Sequence, residues 1–192
     1  MPGYVKPPVN GRVNGTMEMI PSLATQTPLT IKGAVSQTAD LLDIKNSSGT
    51  SLAYIGANGI HSFTNIPAFS VYALNLSTQT GNLLYNVAIH NNGGYLNLGT
   101  GLFTAPVAGY YYFNYHAFGE SGVTGNTTIT FQKNGVGIPS RAYNDFNDAS
   151  YGPVFSLSIL TYLAVNDNVR VSISGAGMHG NDNSYFKGFL VG

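Results

Sequence analysis

The chain has 192 residues, a formal net charge of zero and only 8% charged residues. That balance argues against nucleic-acid binding, which needs a basic surface to displace counterions, and leaves Asn, Ser, Thr and Gly to make the surface polar. Cysteine is absent, so disulfides and thiol chemistry are unavailable, and the length suits one domain with an appendage or two small domains.

Residues 1–28 hold five of the nine prolines: Pro2, Pro7, Pro8, Pro21 and Pro28. Proline removes the backbone donors that helices and central strands use, so this stretch reads as extended or unstructured when alone. Its opening, MPGYVKPPVNGRVNG, lacks the charged start and apolar core of a secretory signal. No segment of the chain approaches the ~20 apolar residues of a membrane helix, and no membrane insertion is expected. Two apolar clusters interrupt the prolines: Tyr4-Val5 and Met17 to Leu23. The stretch reads either as a flexible tail or as an arm that orders across a partner. The second reading makes Tyr4, Val5, Pro7, Pro8, Met17, Met19 and Ile20 anchoring residues.

Residues 29–66 change character. LLDIKN and SLAYIG are short β-prone runs divided by the turn-rich SSGT, which reads as a hairpin. A further turn is expected near Gly59. An isolated hairpin is marginal in water, so this one is expected to pack on its neighbour domain or wind with copies of itself.

From Pro67 onward the pattern is strand, turn, strand. The apolar runs are AFSVYAL, LLYNVAI, GLFTA, GYYYFNYHAF, TTITFQ, VFSLSILTYLAV, NVRVSIS and SYFKGFLV, and Gly or Asn clusters divide most of them. No stretch keeps a 3.6-residue period over three turns, so the fold class is all-β, an antiparallel sandwich or barrel. In GYYYFNYHAF side chains alternate between two faces. Tyr111, Phe113, Tyr115 and Ala117 share one face, and Tyr110, Tyr112, Asn114, His116 and Phe118 share the other.

Five ordered blocks in residues 67–192 resemble the globular head family of complement component 1q, whose jelly roll is shared with tumour necrosis factor. They are PAFSVYAL; the long block 85–118, with Tyr85-Asn86, Phe103-Thr104-Ala105-Pro106 and Gly109-x-Tyr111-x-Phe113-x-Tyr115; FQKNG; LAVNDNVRV; and the closing SYFKGFLV. Asn166 stands where the family usually has Gly, a change that turn geometry tolerates. The resemblance implies a ten-stranded jelly-roll sandwich that assembles as a homotrimer. It implies a protomer core containing Phe103, Gly109, Tyr111, Phe113, Tyr115 and Phe189. It also implies that Tyr110, Tyr112, Asn114 and His116 face neighbouring protomers across a threefold axis.

The 29–65 stretch resembles a β-rich passage common in tailed-phage fibre and other virion proteins, and the collagen repeat that often accompanies complement-type heads is missing. Together these features imply a trimeric virion protein on the outer capsid surface: a decoration or cement protein whose arm lies on the major capsid protein. The alternative is the receptor-binding tip of a tail fibre or tailspike, gripping host glycan through loops 119–126, 143–152 and 176–185.

No enzyme and no cofactor are expected. The four histidines lack metal-ligand spacing, no G-x-S-x-G elbow occurs, and the carboxylates are scattered. GAGMHG (175–180) matches a dinucleotide fingerprint literally, but no helix follows, and it reads as a loop. YNDFNDASYG (143–152) reads as a loop too. There Tyr143, Asn144, Asp145 and Asp148, with Asp182 nearby in sequence, are candidate ligand residues, and Asp145 and Asp148 offer hard oxygens suited to calcium. An ordinary Asn/Asp-rich turn explains the same residues.

Overall fold

The computed structural model describes residues 18, 20, 23, 25, 27–74, 79–119, 125–146, 154–178 and 184–192, with the backbone alone at 144–146 and 176–178. The chain divides into two compact units between Thr64 and Asn65, two residues before the boundary expected at 66/67.

In the first unit Leu42–Lys45 (β1), Ser51–Ile55 (β2) and His61–Phe63 (β3) form an antiparallel three-stranded sheet. The expected hairpin is β1–β2, and the turn at Gly59 leads into a third strand that the sequence reading did not separate. Asn46 sets the first turn, its Oδ1 accepting from the backbone N–H groups of Ser48 (3.1 Å) and Thr50 (2.9 Å). Such Asx geometry is why Asn favours turns. None of the three strands contains a fully buried residue, and Ile44, Leu52 and Phe63 are exposed.

The second unit is a two-layer antiparallel sandwich. One layer is five-stranded, in the order Val154–Leu163 (β12), Gly109–Phe118 (β9), Tyr185–Leu190 (β14), Ala68–Tyr72 (β4) and Val87–Asn91 (β6). The other runs Val136–Phe146 (β11), Gly125–Lys133 (β10), Asn168–Met178 (β13), Leu102–Thr104 (β8) and Leu96–Asn97 (β7), and Gln79–Asn82 (β5) pairs beside β13.

The described residues of this unit thus hold eleven strands where the resemblance implies ten. β5 lies off the main path of its sheet and is short and polar, so it leaves no apolar run to read. Two further corrections concern loops. Residues 143–146 belong to strand β11, where Tyr143, Asn144 and Asp145 pair with Thr128, Thr127 and Asn126. The GAGM of the glycine motif ends strand β13. The run LLYNVAI is not one strand either. Leu83 and Tyr85 are buried, yet only Val87 onward joins a ladder, because Asn86 clamps the backbone of Leu74. Its Oδ1 accepts from the Leu74 N–H at 2.7 Å and its Nδ2 donates to the Leu74 carbonyl at 2.8 Å.

Between the layers lies an aromatic core. Phe69 stacks on Phe103 at 5.2 Å and meets Phe186 edge-on at 4.8 Å, and Phe113 touches both Phe103 and Phe131. Offset and edge-on arrangements are the favoured ones for aromatic pairs.

At one edge a polar pin ties the layers together. Asp167 accepts from Lys133 Nζ (2.8 Å), Asn134 Nδ2 (2.7 Å) and the Ala164 N–H (2.8 Å), and Lys133 also donates to the Tyr162 carbonyl at 3.0 Å. The flanking Asn134 and Asn166 adopt left-handed φ values of 51° and 69°. These are conformations that Asn tolerates better than most residues, and for Asn166 this accounts for the replacement of the family's usual Gly.

Candidate functional site: the outer face of the five-stranded sheet

Strand β9 alternates strictly between buried and accessible residues. Tyr111, Phe113 and Ala117 are fully buried, Tyr115 is 1% exposed, and Gly109 is buried as well. Tyr111 donates its hydroxyl to the Val107 carbonyl at 2.9 Å. Burial pushes the Tyr111 and Tyr115 hydroxyls up from their ordinary value, partly opposed by this bond and, for Tyr115, by a hydrogen bond with Ser184. Both remain neutral, and their role is packing. Phe103 is 1% exposed.

Phe189 is the exception among the expected core residues: it is 47% exposed. The inward positions of β14 are Phe186 and Gly188, so Phe189 points outward, opposite Tyr112. Gly188 is inward because nothing larger fits. A Cβ there would stand 2.6 Å from Phe113 Cδ1 and 2.7 Å from Phe69 Cε1.

The outward residues form rows across the strands. Tyr110 and Tyr162 meet edge-on at 5.5 Å. The next row is Leu160, Tyr112, Phe189 and Ala68, with Tyr112 and Phe189 also at 5.5 Å. A polar row follows: Ser158, Asn114, Lys187, Ser70 and His90. The fourth holds Ser156, His116, Tyr185 and Tyr72, whose Tyr185 and Tyr72 rings lie 5.7 Å apart. Phe118 and Val154 close the end. Tyr110, Leu160 and Tyr162 are all more than half exposed. A concave cavity of about 610 Å³ opens on this face, lined by Ser70, His90, Tyr112, Asn114, Lys187 and Phe189 among others.

The structure therefore brings Tyr110, Tyr112, Asn114 and His116 onto one face. It adds Leu160, Tyr162 and Lys187, which the sequence reading left out, and Phe189, which that reading placed in the core. The signal for the first two was available: in VFSLSILTYL, the same alternation that buries Leu157 and Leu163 turns Leu160 and Tyr162 outward.

The other candidates are not brought together. Tyr143 is 60% exposed on strand β11. Asn144 and Asp145 follow on the same strand with only their backbone described, and Asp148 and Asp182 lie outside the described residues. Among the described residues no cluster of three or more His, Asp or Glu side chains is placed to hold a metal. Of the arm, Ile20 is exposed, while Tyr4, Val5, Pro7, Pro8, Met17 and Met19 lie outside the described residues.

Comparison with known proteins agrees with the sandwich fold. Residues 68–191 match the model of the C1q domain. The sandwich is similar to the globular domain of zebrafish complement 1qA protein, with a TM-score of 0.54 and 26% identity over 66% of this chain and 98% of that one.

Proposed function

This chain belongs to the C1q domain family, a family of non-enzymatic binding and structural domains that typically self-associate as trimers, and from that premise we propose that it is a homotrimeric structural protein of a tailed-phage virion. The observation that carries the trimer is the outer face of the five-stranded sheet. Tyr110, Leu160, Tyr162 and Phe189 stand about half exposed on one continuous surface. Burying a large apolar side chain is worth roughly 1.5–3 kcal/mol, and contiguous apolar patches on soluble proteins mark interaction surfaces. Three copies meeting through this face, with Tyr112, Asn114 and His116 between them, remove the patch from water.

The virion role rests on the 29–65 resemblance and on the first unit. Its small sheet leaves Ile44, Leu52 and Phe63 exposed, which suits a stem wound from three chains. The proline-rich arm then lies on the major capsid protein, three arms per trimer adding avidity without a large interface each. The protein decorates the outer capsid surface in this reading, with the sandwich outward.

Light scattering of the purified full chain is expected to give three times the 20.3 kDa chain mass; a stable monomer at micromolar concentration would refute the assembly. Electron microscopy of particles labelled against the chain tests the location. Label over the shell is expected, and label at the tail tip would replace the cement role with receptor binding.

A further inference from the structure

The five strands of the aromatic-faced sheet contain no acidic residue and, apart from His90 and His116, one basic residue, Lys187. It sits in the middle of the central strand β14, between Asn114 on β9 and Ser70 on β4. Its ammonium lies 5.0 Å from the Tyr185 ring. The ion pairs among the described residues are Lys45–Asp43 and Lys133–Asp167, so Lys187 has no carboxylate partner there. Beside it Ser70 is only 5% exposed and makes no side-chain hydrogen bond with another described residue. Asn114 Nδ2 reaches the Leu157 carbonyl only at 3.4 Å, which leaves its second N–H free to donate. All three line the 610 Å³ cavity, with His90 at one end and Tyr112 and Phe189 along one side.

We propose that this cavity binds a small oxyanion, a carboxylate or phosphate, held by Lys187, Ser70 and Asn114. The inference rests on the trimer reading above. Closing the sheet face against copies repeats Lys187 by symmetry and takes each ammonium away from water. An unpaired buried charge is costly, and like charges brought together make it costlier. The protein supplies no countercharge on this sheet, but it does supply donors: a lysine, which binds phosphate as a point charge, an underused amide and a nearly buried hydroxyl. The aromatic rows on either side exclude water and lower the local dielectric, which strengthens every charge interaction inside. A bound oxyanion satisfies all three donors at once and makes closure of the face compatible with Lys187.

The test is calorimetric titration of inorganic phosphate, and separately of acetate, into the full chain at constant ionic strength set with chloride. Saturable binding of at least one is expected, and the stronger of the two identifies the source chemistry. Lys187→Met, which keeps the length of the stem, is expected to weaken binding at least tenfold while light scattering still reports a trimer. Ser70→Ala is expected to weaken it severalfold. A trimer that binds neither anion, or whose binding survives Lys187→Met, overturns the anion site and leaves the trimer standing. A trimer that falls apart on Lys187→Met yet binds neither anion overturns it too, and means that a carboxylate of a second copy fills the cavity. A monomer overturns the trimer reading and the closure argument with it.

Discussion

The two outer faces of the sandwich are built from residues with the same liking for strands but opposite tastes in surroundings. On the six-stranded sheet the outward positions of β10 are Asn126, Thr128, Thr130 and Gln132, the last three paired with Ser174, Ser172 and Arg170 on β13. Arg170 Nε donates to Gln132 Oε1 at 3.0 Å. On the five-stranded sheet the same kind of position holds Tyr110, Tyr112, Leu160, Tyr162 and Phe189. Threonine and tyrosine both suit a pleated strand, so propensity does not explain the division. The difference lies in what each face meets. With only 8% charged residues, the protein covers β10 and β13 with hydroxyls and amides, whereas on the aromatic face such groups are confined mainly to the row of Ser158, Asn114, Lys187, Ser70 and His90 between aromatic rows.

Placing one charge on each face breaks the comparison most sharply. Tyr112→Asp puts a carboxylate beside Phe189 in the middle of the aromatic face. Loss of the trimer is expected, a threefold fall in mass by light scattering. Ser174→Asp puts the same charge on the exposed end of the polar row of β13 and is expected to leave the mass unchanged. A trimer that survives Tyr112→Asp, or one lost on Ser174→Asp, would reverse the assignment of the two faces.

A second variant probes the core beneath the aromatic face. Gly188→Ala adds a methyl that meets Phe113 and Phe69 at under 3 Å. Overfilling a packed core costs about 1–3 kcal/mol, and the chemical denaturation midpoint is expected to fall accordingly. The outward neighbours Lys187 and Phe189 keep their side chains, so the trimer is expected to persist wherever the fold does. Unchanged stability would mean that the core beside Phe113 is looser than the ring contacts indicate.

Much of this was legible in the sequence where alternation is clean. GYYYFNYHAF carries an aromatic ring at most positions, and its parity in the structure is the parity of the letters. The all-β class follows from the same regularity. Legibility failed where the inward residue is small. In KGFLV three apolar residues follow a glycine, and the glycine conceals that its position is the buried one, so the letters do not correct the resemblance, which implies that Phe189 is core. Strand β11 fails for a related reason: among its described side chains only Ile138 and Ala142 pack on the core, and its place comes from the backbone ladder to β10. The cavity was invisible for another reason. Ser70, Asn114 and Lys187 come from three strands far apart in the chain, and only the register places them side by side.

The smallest effect expected concerns what joins the two sheets and leaves both faces alone. Asp167, between β12 and β13, is held down to about 2 from its ordinary 3.8, first by the hydrogen bond from Lys133 on β10 and then by those from Asn134 and the Ala164 N–H. A carboxyl whose folded value is depressed adds stability that is fully present above its unfolded value and fades as pH falls toward the folded one. Its contribution is therefore complete above about pH 4 and is lost progressively down to about pH 2. Asp167→Asn removes the charge at every pH. Urea melts of the wild type and the variant are expected to differ by a constant amount from pH 5 to 7 and to converge between pH 4 and 2. Light scattering above pH 5 is expected to give the same mass for both, since neither outer face contains Asp167. Curves that stay parallel to pH 2 would show that the pin holds through its neutral hydrogen bonds alone. A variant that is monomeric above pH 5 would show that the aromatic face depends on how the sheets are tied at this edge, and the two faces would then not be independent.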